Sequence, residues 1–272
     1  MALDLRKLAR AFRATDTIVS IPYTSWLLQH GDAPLDERTA EIIKRLLMAV
    51  PRNRAVSFSA SSAHVCERAQ VFGYLGIDTG GGGIDAQLQN IFNDGKWRHL
   101  RWQAALMMAG ILKDIEDPQT WPRKRVVGTM DGTGVVPSNH PRSHWRGKEF
   151  GFELKGVSAF QYPNLTEPME KHLQQTDTYF LMSGFELFVL LYENKTTQEW
   201  KEWVIEPDSK RMKIRQKQID RLNDSIDTKT LPPMLHDCTI QRGPLFNKDC
   251  PFGGRGGICV RAGKGWPQIA KH

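Results

Sequence analysis

The sequence is short of cysteine, of long apolar runs and of acidic residues. It has four cysteines in 272 residues. A chain of this length can bury roughly three quarters of its unfolded surface, so it needs no disulfides to be stable. The longest apolar stretch, Phe180–Tyr192, is too short to span a bilayer and contains Glu186. The first residues, Met1-Ala2-Leu3-Asp4-Leu5-Arg6, lack the order of a secretory signal. These absences exclude a disulfide scaffold and a membrane span, and the expected location is cytoplasmic with no membrane partner. In a reducing compartment thiols are better suited to metal ligation than to disulfides. Asn164-Leu165-Thr166 and Asn194-Lys195-Thr196 then mean nothing as glycosylation signals. The glycine run Gly80–Gly83 follows no strand and is not completed by Gly-Lys-Ser or Gly-Lys-Thr, so it reads as a linker. Lys and Arg number 37 against 30 acidic residues, a net charge of +7, which mildly favours an anionic partner such as nucleic acid.

What is present reads as one large domain, or a domain with appendages. Asp4–Arg13 is a basic amphipathic turn or two. Leu35–Val50 carries Ile42, Ile43, Leu46 and Leu47 at helical spacing and is stopped by Pro51. Residues 1–54 therefore form a helical N-terminal segment without evident chemistry. Ser57–Ser62 offers N-caps for a helix holding Val65, Cys66, Ala69, Phe72 and Leu75. Residues 84–115 are the longest helical candidate, with a break expected near Gly95. His99 lies on it, followed at helical intervals by Gln103, Leu106 and Gly110. Loop 137–149 carries His140, Arg142, His144, Trp145, Arg146 and Lys148. Pro141 argues against a shared zinc between the two histidines, and the loop reads as a solvated basic loop or one that grips a substrate. A helix from about Pro163 to Gly184 puts His172, Gln175 and Tyr179 on one face. A buried strand, Leu187–Tyr192, and a charged helix, Ser209–Asp227, complete the core.

The centre is residues 126–155. Val126-Val127-Gly128-Thr129-Met130-Asp131-Gly132 and Phe150-Gly151-Phe152-Glu153-Leu154-Lys155-Gly156 both read as strands. Side chains alternate along a strand, so Glu153 and Lys155 project from one face. Asp131 on the preceding strand completes a two-carboxylate site suited to a hard divalent cation. A lysine beside such a cation can orient the attacking water or stabilise a charged transition state.

Asp131 followed by Glu153-Leu154-Lys155 resembles the D…(D/E)xK signature of the PD-(D/E)XK nuclease superfamily, with Met130 in place of the usual proline. Gly95–Ile111 resembles the helix of RecB-like nucleases that brings a histidine, here His99, to the metal. His172–Tyr179 resembles their QxxxY helix, with Gln175 and Tyr179 bracing lysine and substrate. The resemblance covers about residues 55–262. It implies an α/β restriction-endonuclease-like core, a mixed sheet flanked by helices, over residues 55–230. It further implies a metal-dependent DNA exonuclease in recombination, repair or replication. DNA ends, single-stranded or duplex, are the implied partner, with a recombination or replication protein beside them. Mg²⁺ or Mn²⁺ would be held by Asp131, Glu153, His99 and the Leu154 carbonyl. Such a compact chain would suit a bacteriophage and act in its host's cytoplasm.

Cys66 before the core and Cys238, Cys250 and Cys259 in the tail, residues 231–272, resemble the iron–sulfur-stapled CRISPR-associated and AddB-type nucleases. The resemblance implies a 4Fe–4S cluster on these four thiolates. Their gaps of eleven and eight residues are longer than those families use, which leaves zinc, or no metal, open. Two other classes compete. Thr129-Met130-Asp131-Gly132 is similar to the K-x-D-G motif of nucleotidyltransferases but has threonine where the nucleophilic lysine belongs. A non-catalytic, metal-stapled DNA-binding module would use the same fold without the chemistry.

Overall fold

The computed structural model describes residues 16–49, 56–77, 85–240, 250–253, 258–262 and 266. Expectations for Asp4–Arg13, Pro51 and Gly80–Gly83 lie outside them. The described residues form a mixed α/β structure in which a six-stranded mixed sheet is flanked by helices. The strands are β1 (Phe58–Ser59), β2 (Asp114–Trp121), β3 (Val126–Val135), β4 (Glu149–Val157), β5 (Leu187–Asn194) and β6 (Trp200–Ile205). The helices are α1 (Ser20–His30), α2 (Glu37–Met48), α3 (Glu67–Tyr74), α4 (Ala86–Met108), α5 (Glu170–Ser183), α6 (Ser209–Thr228), α7 (His236–Ile240) and α8 (Ile258–Ala262).

Sheet order is β1-β3-β4-β5-β6, with β2 on the other edge of β3. β4 and β5 are parallel, and β3–β4 and β5–β6 are antiparallel. β5 is buried along its whole length, as a central strand covered on both faces should be. Its residues alternate between two apolar layers. Leu187, Val189 and Leu191 join Phe150, Phe152 and Leu154 of β4 and Trp102 and Leu106 of α4. Phe188, Leu190 and Tyr192 join Val157 and, from α5, Tyr179 and Phe180. The β4 side chains facing α4 are thus apolar, and Glu153 and Lys155 face α5.

Local chemistry sets the helix ends. Asp36, Asp85 and Asp208 cap α2, α4 and α6 by accepting from backbone N–H groups of the first turn. Gly184, at φ 73, closes α5 in the left-handed conformation. Several expectations differ from the structure, and the helix expected over residues 84–115 ends at Met108, with β2 already beginning at Asp114. α4 runs unbroken through Gly95, because one glycine costs a helix only about 1 kcal/mol. α5 starts at Glu170, not near Pro163: Tyr162 and Leu165 are buried and their carbonyls are held by Lys201 Nζ at 2.9 and 2.8 Å. Cys66 lies before α3 as its N-cap, its Sγ 3.4 Å from the Ala69 N–H, and not on the helix face.

Residues from both flanking segments pack into the apolar layers. Ile18, Val19 and Tyr23 are buried with Trp102, and the backbone N–H groups of Ile18, Val19 and Ser20 all donate to the Glu202 carboxylate. Phe252, Ile258 and Trp266 pack on a third cluster formed by Phe58, Val71, Phe72, Ile219 and Leu222.

Candidate active site

The site lies where β3 and β4 part. Their pairing begins at Gly132–Phe152 and runs away from Glu153 and Lys155. Beyond it the Asp131 carboxylate takes the place of a strand partner, with Oδ2 accepting from the Leu154 N–H at 2.7 Å. Glu153 Oε1 accepts from Lys155 Nζ at 2.6 Å and from Gln175 Nε2 at 2.9 Å, and Lys155 Nζ also donates to Gln175 Oε1 at 2.9 Å. One turn further along α5, the Tyr179 hydroxyl donates to the Thr129 carbonyl at 2.8 Å. α4 contributes His99, whose Nε2 stands 3.3 Å from Asp131 Oδ2 and 3.2 Å from the Leu154 carbonyl. Five residues expected to act together, Asp131, Glu153, Lys155, Gln175 and Tyr179, are therefore joined in one network with His99 and Leu154.

The electrostatics are those of a crowded pocket in which two carboxylates face Lys155 and the His99 ring. Asp131 and Glu153 are both buried. Burial and the neighbouring Asp131 charge push the Glu153 carboxyl up to about 7, against the pull of Lys155. Burial also acts to raise Asp131, but His99, Lys155 and the Leu154 N–H together hold it below its ordinary value. For His99, burial opposes the charged ring, yet the charge and hydrogen bond of Asp131 outweigh it and raise its pKa to about 9. His99 Nδ1 faces the Gly95 carbonyl at 2.8 Å, which fixes the ring orientation and aims Nε2 at Asp131 and the Leu154 carbonyl. Glu153 Oε2 is buried, with no hydrogen-bond partner among the described residues.

That orphaned oxygen, on a carboxyl that feels the charge of a second buried carboxylate, suits a hard divalent cation. Among the described residues no group of three His, Cys, Asp or Glu side chains stands around one metal position. Mg²⁺-type sites need only one or two carboxylates, with carbonyls and waters completing the shell, so the donor set is sufficient.

Other expected functional residues have different duties. His140 is buried, its Nε2 3.0 Å from the Thr17 carbonyl. Trp145 is buried and donates to Glu206 at 2.6 Å, and Arg142 lies 4.6 Å over its ring and pairs with Asp16. Loop 137–149 thus clasps residues 16–17, and its tryptophan is not available to stack on a base. On α6, Arg211 pairs with Asp177 at 3.0 Å, Arg221 with Glu67 at 2.5 Å, and Arg215 is buried against Thr178, while Lys210, Lys213, Lys217 and the paired Arg221 are exposed. His172 Nδ1 is 2.8 Å from the Tyr192 hydroxyl, and burial, then Lys155 and Lys171, lower its pKa to about 3.

All four cysteines are free and half-buried. Burial raises the Cys66 and Cys259 thiols. Cys66 also feels the charges of Cys250 and Cys238, and Cys259 those of Arg68 and the other three cysteines. They share one neighbourhood.

Gly128 escaped the sequence reading. A Cβ there would lie 2.6 Å from Tyr179 Cε1 and 3.0 Å from its hydroxyl. The available signal was a glycine inside an apolar strand, which marks close approach of another group. Gly128→Ala is expected to displace Tyr179, costing about 1–3 kcal/mol by overpacking and lowering activity without changing charge. Thermal unfolding beside an activity assay checks this.

No protein-family model and no curated protein matches the chain. Among solved structures, the protein designated SSO0001 is 15% identical with a TM-score of 0.42, covering 72% of this chain and 85% of that one. An alkaline exonuclease, LHK-Exo from Laribacter hongkongensis, is 13% identical with a TM-score of 0.46, covering 65% of this chain and 90% of its own. In complex with dAMP it gives a TM-score of 0.47 at 13% identity and the same coverage. Likenesses this distant carry no argument about chemistry, and the functional reading rests on the residues of the site.

Proposed function

We propose that the chain is a divalent-metal-dependent deoxyribonuclease that hydrolyses phosphodiester bonds at DNA ends. The observation that carries this reading is the network holding Asp131, Glu153 and Lys155 at the parted strands, with Glu153 Oε2 buried and without a hydrogen-bond partner among the described residues. Two buried carboxylates, one with its pKa raised by burial and by the charge of the other, support a site that takes a cation.

Asp131, Glu153, the Leu154 carbonyl and His99 would hold Mg²⁺ or Mn²⁺. When bound, such an ion polarises the phosphoryl oxygen and lowers the pKa of a coordinated water. Lys155, held between Glu153 and Gln175, places a fixed positive charge where the attacking water and the phosphate oxygens meet. Gln175 holds both lysine and glutamate. Tyr179 keeps the parted edge of β3 in place through the Thr129 carbonyl. End-labelled single- and double-stranded DNA, incubated with the protein in Mg²⁺, Mn²⁺ or EDTA, tests the reading. Metal-dependent shortening of the labelled strands is expected. DNA binding without cleavage in either metal would leave a DNA-binding module in its place.

His99→Ala is expected to lower cleavage more than DNA binding and to change the relative activity in Mn²⁺ and Mg²⁺. An imidazole donor favours Mn²⁺ over the oxygen-preferring Mg²⁺. Rates measured across a titration of each metal check this. An unchanged rate and metal profile would reduce His99 to a packing residue.

We further propose that Cys66, Cys238, Cys250 and Cys259 bind one structural 4Fe–4S cluster, with zinc as the alternative occupant. Their placement, one before the core and three behind it, motivates this; among the described residues no three thiols are gathered around one metal position. Binding would bring the tail and the cap of α3 together.

A further inference from the structure

The ladder between β2 and β3 is interrupted at one place. Ile115 pairs with Gly132 and Asp117 with Met130, but the pair between them, Glu116 and Asp131, is missing. Glu116 has φ 51, a left-handed conformation that side-chain-bearing residues rarely adopt. Gln103 of α4 fills the interruption. It is 1% exposed, and its Nε2 donates to the Asp131 carbonyl at 2.8 Å and to Glu116 Oε1 at 2.8 Å. Both partners only accept, so the amide nitrogen must face them. Gln103 Oε1 is buried with no partner among the described residues, so these two bonds orient the side chain.

Gln103 lies one turn beyond His99 on the same face of α4. One helix therefore grips Asp131 twice. Gln103 holds its backbone carbonyl, and His99 meets its carboxylate at 3.3 Å. Between these two grips, Oδ2 takes the Leu154 N–H. A regular ladder would pair the Asp131 backbone with Glu116 and give its side chain the ordinary pleat direction. Strain of the kind seen at Glu116 persists only where its surroundings over-determine it, and it concentrates at functional sites.

We propose that Gln103 and Glu116 are positioning residues that set the Asp131 carboxylate for metal binding, an inference that rests on the nuclease reading above. Neither touches the reacting atoms. They act through the Asp131 backbone, as outer partners of metal ligands do.

The test uses the full chain with Gln103→Met, which keeps volume and removes both donors, and Glu116→Gly, which removes the acceptor and accommodates the left-handed φ. Three quantities are read: Mn²⁺ affinity by calorimetry, kcat and KM on single-stranded DNA, and exchange of the Leu154 amide hydrogen in metal-free protein. Gln103→Met is expected to weaken Mn²⁺ binding about 10–100-fold, to lower kcat at limiting metal, and to leave KM for DNA within about twofold. Leu154 exchange should accelerate about tenfold or more, because its bond to Asp131 Oδ2 loosens. Glu116→Gly should also weaken Mn²⁺ binding while unfolding at the same or a higher temperature. A general packing defect would instead lower the unfolding temperature and leave metal affinity alone. Folded Gln103→Met with wild-type Leu154 exchange and wild-type Mn²⁺ affinity overturns the proposal. If Gln103→Met does not fold, wild-type Mn²⁺ affinity and Leu154 exchange in Glu116→Gly overturn it. Wild-type protein that binds no Mn²⁺ and cleaves no DNA overturns the nuclease reading instead. Leu154 exchange in the variants then still decides whether Gln103 positions Asp131.

Discussion

Glu153→Gln is expected to abolish DNA cleavage and, in EDTA at alkaline pH, to make the protein more stable. Both effects come from one carboxyl group. In the proposed nuclease its ionised form would hold the cation, and removing such a group should cost on the order of 10³-fold in rate. That same ionised form is what burial and the Asp131 charge oppose, pushing the folded-state pKa up to about 7 from an ordinary 4.5. Between those values the folded chain holds a proton that the unfolded chain has released. Stability from this group is thus fully present below about pH 4.5 and is lost as pH rises through about 7. Glutamine does not ionise, keeps an acceptor for Lys155, and escapes that loss. At pH 8.5 the gain should be on the order of 1–3 kcal/mol, and near pH 4.5 it should vanish. Mn²⁺ should raise the unfolding temperature of the wild type and not of the variant, since only an ion bound to the folded state stabilises it. Lys155→Ala should lose a comparable rate with the opposite effect on stability, because it strips the paired carboxylates of their nearest cation. Melting curves at three pH values, with and without Mn²⁺, beside an end-labelled cleavage assay, measure all of this. Folded Glu153→Gln cleaving at the wild-type rate would end the assignment. A variant less stable than wild type at pH 8.5 would show that the buried charge is not what strains this site.

Cys66→Ser is expected to leave most of the protein insoluble or open to proteolysis. The proposed metal shared by Cys66 and the tail cysteines would close a loop of roughly 170 residues and so restrict the unfolded chain by about 5 kcal/mol on the chain-entropy estimate used for disulfides. That is comparable to the whole stability of an ordinary domain. Serine is the informative replacement because Cys66 also caps α3 through its Sγ. Serine caps well, so the cap, worth about 1 kcal/mol, is kept and only metal ligation is lost. Anaerobically purified wild type should be brown, with about four irons and four labile sulfides per chain. Colourless protein with one zinc per chain would replace the cluster by a zinc staple. Four freely alkylated thiols in wild type of normal stability, matched by stable Cys66→Ser, would remove the staple altogether. Cleavage measured on whatever folded Cys66→Ser can be recovered should be near wild type per folded molecule, since no cysteine belongs to the Asp131–Glu153–Lys155 network.

The residues of that network were legible in the sequence for definite reasons. Period two puts Glu153 and Lys155 on one face of β4, and the 3.6-residue period puts Gln175 and Tyr179 on one face of α5. Local rules also placed β5, which is buried from Leu187 to Asn194, and α6, which begins after the capping Asp208. They failed where a long-range contact outweighed a local preference. Lys201 holds the carbonyls of the turn before α5 and delays the helix. His140 and Trp145, polar and amphipathic residues in a basic loop, are drawn inward by the Thr17 carbonyl and Glu206.

The sequence by itself determined which residue types stand at which spacing: an acid on one strand, an acid and a lysine two apart on the next, a histidine on a long helix, a glutamine and a tyrosine one turn apart, and four cysteines with none left over. Spacing within one element is a property of backbone geometry, so it survives without knowledge of the fold. Only the tertiary structure decided that β3 and β4 part at Asp131, that its carboxylate captures the Leu154 N–H, that Gly128 makes room for Tyr179, and that Gln103 and Glu116 interrupt the ladder behind it. Each of these depends on which strand edge is left unpaired. Pairing is fixed by how α4 and α5 bury the two faces of the sheet at once, a condition that no window of sequence contains.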